Sequence, residues 1–140
     1  MTRHLAATAL LAFLTTACGE EIPTDPQVNT QTAALLPPGD SLIGTWKSGG
    51  WPGIVSISGG DGYMTNDGDG CWLNGDLKFE NITPTSTPDE YTATRHMYGS
   101  GFCLVHASPE TTIITLHHYT SGDAFSEVSP SFSASWTRYP

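Results

Sequence analysis

Leu42-Ile43-Gly44-Thr45-Trp46-Lys47 opens the part of the chain that carries a folding pattern. Its counterpart is the last stretch, Ser131-Phe132-Ser133-Ala134-Ser135-Trp136-Thr137-Arg138-Tyr139. There Phe132, Ala134, Trp136 and Arg138 share one face, and the three serines, Thr137 and Tyr139 share the other. Alternation with period two is the mark of a strand with one face buried and one wet. Arg138 ends the apolar face, where a guanidinium can stack on an indole while its charge stays near water. If a barrel closes by pairing the first strand with the last, the indole it meets is Trp46.

Between these two stretches the punctuation is that of short strands. Residues 42–47, 53–58 and 63–66 end at Gly49-Gly50, Gly59-Gly60-Asp61-Gly62 and Asp67-Gly68-Asp69-Gly70, which supply the positive backbone angles of hairpin turns. Residues 71–80 read as one long strand. It carries Cys71, Leu73, Gly75, Leu77 and Phe79 on an inner face, and Trp72, Asn74, Asp76, Lys78 and Glu80 on an outer one. Asn74-Gly75 is a turn dipeptide, but the alternation passes through it, so Gly75 is read as a bend or bulge. Residues 82–89, with Pro84 and Pro88, read as a loop. Further strands are predicted at 91–98, 102–107, 111–119, 124–128 and 131–139.

Eight or nine strands with no helical period predict an all-β domain. The expected form is a small antiparallel up-and-down β-barrel of about eight strands, with a β-sandwich as the alternative. About a hundred residues leave little length per strand, so any cavity is expected to be small. Leu73, Leu77, Phe79, Phe132 and Trp136 are the side chains expected to line it.

The pairing of Gly44-x-Trp46 with a late Arg138 resembles the lipocalin and calycin barrels. The resemblance implies barrel closure through Gly44, Trp46 and Arg138, and a non-catalytic module that holds a small apolar ligand or a protein partner. A structural or interaction protein with a filled barrel is the alternative, and periplasmic protease inhibition a narrower one. Small disulfide-bonded inhibitors share the calycin barrel but act through a free N-terminal arm.

The N-terminus has a short polar start, an apolar run at residues 5–14 too short to span a bilayer, and then Leu14-Thr15-Thr16-Ala17-Cys18. This resembles a bacterial lipobox, with Thr15 where the usual pattern has Leu. The resemblance implies a signal peptide at 1–17, lipidation of Cys18, a membrane anchor through that lipid, and, with Gly19 following, export to the outer membrane. It also disfavours the inhibitor reading, because the arm would carry the lipid. Residues 18–40 carry four prolines and no hydrophobic period, so they read as a flexible tether that reaches on the order of 25 Å, and 41–140 as the barrel domain.

Among residues 18–140 four basic side chains, Lys47, Lys78, Arg95 and Arg138, stand against fourteen acidic ones, a formal charge of about −10. So acidic a chain repels phosphate backbones, which argues against a nucleic-acid partner. With Cys18 on lipid, Cys71 and Cys103 remain, and two thiols in an oxidising compartment read as one disulfide.

Candidate chemistry is thin. His96, His106, His117 and His118 fall on successive predicted strands without a metal-ligand spacing. Asp61, Asp67, Asp69 and Asp76 crowd a Gly-rich region without calcium-loop spacing, and turn chemistry explains them. No Gly-x-Ser-x-Gly elbow is present. The sequence therefore implies no metal, no cofactor and no catalytic set. The aromatic residues Trp51, Tyr63, Trp72, Tyr98 and Tyr119 are the remaining candidates, as a partner-binding patch or as the lining of a barrel mouth.

Overall fold

The computed structural model of the chain describes residues 36–66, 70–97, 103 and 108–140. Eight strands follow one another: β1 (Gly44–Ser48), β2 (Ile54–Ser58), β3 (Asp61–Met64), β4 (Leu77–Pro84), β5 (Glu90–Arg95), β6 (Glu110–His117), β7 (Ala124–Ser129) and β8 (Phe132–Arg138). Each pairs antiparallel with the next, and β8 returns to β1, so the sheet is a closed up-and-down barrel. Closure leaves no free sheet edge of the kind a sandwich would carry.

The seam is set by three residues. Trp46 lies opposite Arg138 in the β1–β8 register. The Arg138 guanidinium sits 3.8 Å above the Trp46 ring and donates to the Ile43 carbonyl at 2.8 Å. Gly44 has φ +142°, and a Cβ there would collide with Arg138 Nη1. A glycine is therefore required where the arginine crosses β1. The Trp46 indole N–H donates to the Leu42 carbonyl at 2.9 Å, which ties the strand to the segment before it.

Alternation along β8 places Trp136 inside, fully buried, as predicted from its period. It stacks on Phe125 at 5.6 Å. Phe125 in turn meets Trp46 edge-on at 4.9 Å, and Phe79 packs against both Phe125 and Trp136. These four rings, each at most 1 % exposed, fill the middle of the barrel. Burying each such side chain contributes roughly 1.5–3 kcal/mol.

The structure departs from the sequence reading at four places. Residues 71–80 are not one strand. Leu73-Asn74-Gly75-Asp76 is a turn with Gly75 at φ +93°, closed by Asp76 N–H to the Leu73 carbonyl at 3.0 Å and by Leu73 N–H to Asp76 Oδ2 at 2.6 Å. Asn-Gly turn chemistry overrides an alternation that was coincidental. Secondly, β4 runs on to Pro84, so the loop predicted at 82–89 shrinks to residues 85–89. Thirdly, the strand predicted at 102–107 lies outside the described residues except for Cys103, which is in no strand. The barrel closes without it, because β5 pairs directly with β6. Finally, Leu36 is 3 % exposed and packs on the core. Asp40 accepts the Tyr91 hydroxyl at 3.0 Å and the Leu42 N–H at 2.8 Å. Residues 36–40 thus belong to the packed domain rather than to a tether.

β4 carries two bulges. Gly62 faces Phe79 while Tyr63 faces Leu77, so Lys78 is an extra residue in the ladder. A second shift lies between Glu80 and Thr83, where Asn81 takes φ +56°. A bulge puts two successive side chains on nearly one side. Lys78 and Phe79 are accordingly both buried.

Candidate functional site

In an up-and-down barrel alternate connections lie at the same end. The chain before β1, the end of β8 and the turns β2–β3, β4–β5 and β6–β7 share one end, which Leu36 and Leu42 cover. The connections β1–β2, β3–β4, β5–β6 and β7–β8 gather at the other. Trp51, Trp72 and Met97, on the first three of these connections, and Phe132, at the start of β8, wall a cavity of about 440 Å³ with Lys78, Arg95 and Ser131 as its polar lining. Trp51 folds inward over Gly53, where a Cβ would collide with its ring, and stands edge-on to Trp136 at 5.8 Å. Trp51 and Phe132 also border a second concavity, about 640 Å³, that runs along Gly49 and Ala134.

A disulfide joins Cys71 on the β3–β4 connection to Cys103 on the β5–β6 connection, with Cα atoms 4.8 Å apart. Trp72 follows directly, so the crosslink holds one wall of the mouth in place.

Beneath the walls is a charge cluster built on Glu127. This carboxylate is fully buried. Its Oε1 accepts Arg95 Nε at 3.0 Å and Lys78 Nζ at 3.4 Å. Its Oε2 accepts the Trp136 indole N–H at 3.1 Å. Arg95 Nη1 reaches Glu110 at 3.2 Å and contacts Met97 Sδ. The Ser129 and Ser131 hydroxyls donate to Glu110 and, with Arg95, hold its carboxyl below the usual range.

The Arg95 guanidinium lies 4.0 Å from the Phe132 ring centre. The Lys78 ammonium stands 5.2–5.6 Å from the ring centres of Phe79, Trp72 and Phe132. Burial pushes its pKa down to about 8, against the attraction of Glu127. Two cations and two carboxylates interlock here in a low-dielectric setting, where a lost partner is costly.

Of the residues expected to line a lumen, Phe132 alone reaches the mouth. Phe79 and Trp136 lie beneath it in the ring column, fully buried. Leu77 is half-buried on β4, and Leu73 sits on the 73–76 turn, 45 % exposed. The bulge and the turn account for this, because they shift the inward parity that the sequence reading had assigned. Trp72, read as outward, is buried over Lys78 for the same reason. Lys78, Arg95 and Glu127 were not singled out by sequence. Glu127 shares strand parity with Phe125, which was the available signal.

Tyr63 and Tyr119 are exposed away from the mouth, and Tyr98 lies outside the described residues. The remaining candidates are spread out. His96 meets Glu80 at 3.2 Å, His117 meets Ser126 at 3.2 Å, and His118 lies between Asp123 and Asp89. Asp61 accepts the Asn81 N–H and Asp76 caps its own turn. His106, Asp67, Asp69 and Cys18 lie outside the described residues. Among the described residues no three His, Cys, Asp or Glu side chains converge as metal ligands.

No protein-family model, curated protein or solved structure matches this chain.

Proposed function

We propose that the chain is a lipid-anchored protein of the bacterial envelope whose barrel is a non-catalytic binding module for a small apolar ligand. The anchor is Cys18, from the lipobox resemblance, and the outer membrane is the destination that Gly19 implies. The observation that carries the binding reading is the convergence of Trp51, Trp72 and Met97 from three separate connections, and of Phe132 from the start of β8, on one cavity. Few-sided concavities of this size, apolar with a small number of placed polar groups, are the usual form of a ligand site. The filled ring column beneath makes the mouth, not the lumen, the place of binding. The Gly44, Trp46 and Arg138 seam supports kinship with the calycin barrels in architecture.

Native and denaturing mass spectrometry of the chain recovered from membranes tests both halves. A lipid adduct that disappears with Cys18→Ser, together with a discrete bound mass in the native spectrum, is the expected result. An unmodified Cys18 in a soluble fraction would refute the anchor. A native spectrum of apo protein at every ligand concentration offered would refute the carrier. The filled column also favours a second reading, an interaction protein working through its outer surface, where Ile113 and Val128 face each other across β6 and β7 and are exposed. Loss of partner capture on Val128→Glu would support it.

A further inference from the structure

We infer that the mouth recognises a flat aromatic monocarboxylate, its ring among Trp51, Trp72 and Phe132 and its carboxylate on Arg95 and Lys78. This rests on the mouth being a binding site and narrows the ligand from a wholly apolar body to one with an apolar ring and a single anionic group.

Donor accounting leads to it. Arg95 commits Nε to Glu127 and Nη1 to Glu110 and Met97. Among the described residues its Nη2 has no partner. Among the described residues no buried side-chain nitrogen or oxygen lacks a partner, and this 4 %-exposed residue lines the cavity, so Nη2 is the donor it has left for a ligand. Lys78 has three N–H donors and one hydrogen-bond partner, Glu127, at 3.4 Å. The rings around it, 5.2–5.6 Å away at their centres, offer no oxygen acceptor, so donors remain for a ligand. Both cations line the same cavity as the aromatic walls. A guanidinium desolvated against Phe132 makes stronger charge-assisted bonds to a planar carboxylate than one in water.

Other ligand classes fit less well. A cation is repelled by Lys78 and Arg95, and the ring faces that would cage it already face the Lys78 ammonium. A dianion meets Glu127 and Glu110 within the same cluster and a chain of net charge −9. A long acyl chain has no depth to enter, because Phe79 and Trp136 close the floor with full burial. What remains is a short, flat body with one negative group.

The test uses the full chain with its disulfide intact and three probes of one shape: 2-naphthoate, 2-naphthalenemethanol and 2-naphthylmethylammonium. Calorimetry is expected to rank the acid about tenfold or more above the alcohol, the fold-change of one charge-assisted hydrogen bond, with the ammonium weakest. The charge-balanced variant Lys78→Met/Glu127→Gln is expected to lose most of the preference for the acid, with an unchanged near-UV circular dichroism spectrum showing that its mouth is formed. Equal affinity for acid and alcohol would overturn the carboxylate assignment and leave the mouth standing. Failure of all three probes at millimolar concentration would overturn both. A full preference for the acid in the double variant would overturn the role of Lys78.

Discussion

Lys78, Arg95 and Glu127 form an asymmetric triad, and the asymmetry can be read in stability. Glu127 is the shared acceptor of Lys78, Arg95 and Trp136. Glu127→Ala leaves two cations buried with less compensation, and a loss of about 3–5 kcal/mol is expected. Lys78→Met removes an ammonium held at a desolvation cost and leaves Glu127 with Arg95 and Trp136. The variant should lie within about 1 kcal/mol of the parent, or above it. Urea unfolding of the two variants checks this, and equal losses would mean that the ammonium is as necessary as its acceptor. At the seam, Gly44→Ala combines a left-handed φ with a collision against Arg138 Nη1. It should cost about 1–3 kcal/mol, and measurably less in an Arg138→Ala background, where the collision is gone.

At the scale of the element, β8 and β4 show what a sequence can and cannot carry. β8 alternates without interruption, faces β1 on one side and β7 on the other, and was legible to within one residue at each end. Gly44, Trp46 and Arg138 were legible through the resemblance of their pattern to the calycin barrels, and Arg138 also through its place at the end of the apolar face of β8. β4 was not, because its inward set is decided by pairing. Two bulges shift the ladder opposite Gly62 and near Asn81, and neither leaves a period of its own in the chain. The site inherits that opacity: Lys78 faces inward only through the bulge, and Trp72 only through the turn after Cys71. Compartment logic found the disulfide that holds this turn. Its 32-residue separation predicts about 3–4 kcal/mol of stabilisation from restricting the unfolded chain. Reduction should lower the urea midpoint accordingly. It should also alter tryptophan fluorescence before global unfolding, because Trp72 adjoins Cys71. A fluorescence change only on global unfolding would show that Trp72 is held by its packing alone.

The two ends of the molecule respond to pH with opposite signs, and their sum predicts a profile that neither gives alone. At the closed end His118 lies between Asp123 at 2.9 Å and Asp89 at 3.4 Å, joining the β6–β7 and β4–β5 turns. Hydrogen bonds to Asp123 and then Asp89 raise its pKa above the ordinary 6.5. The folded state therefore holds this proton more tightly than the unfolded chain does. The stabilisation is complete below pH 6.5 and is lost as pH rises through the higher folded value. Asp123, lowered chiefly by His118, contributes above its ordinary 3.8 and loses that contribution as pH falls through its lower folded value. At the mouth burial lowers Lys78 from 10.5 to about 8. Between those values the unfolded chain carries the proton and the folded one does not, so stability rises with pH across that interval. Tyr91, raised by burial and by its bond to Asp40, reverses the trend above pH 10, where the unfolded phenol ionises first. Urea midpoints at constant ionic strength should therefore fall through neutrality, pass a shallow minimum just below pH 8, recover toward pH 10 and fall again. Lys78→Met should abolish the recovery and His118→Gln the first decline. A monotonic fall from pH 6 to 10 in the parent would mean that Glu127 keeps Lys78 charged in the fold, and that its attraction outweighs the cost of burying the ammonium.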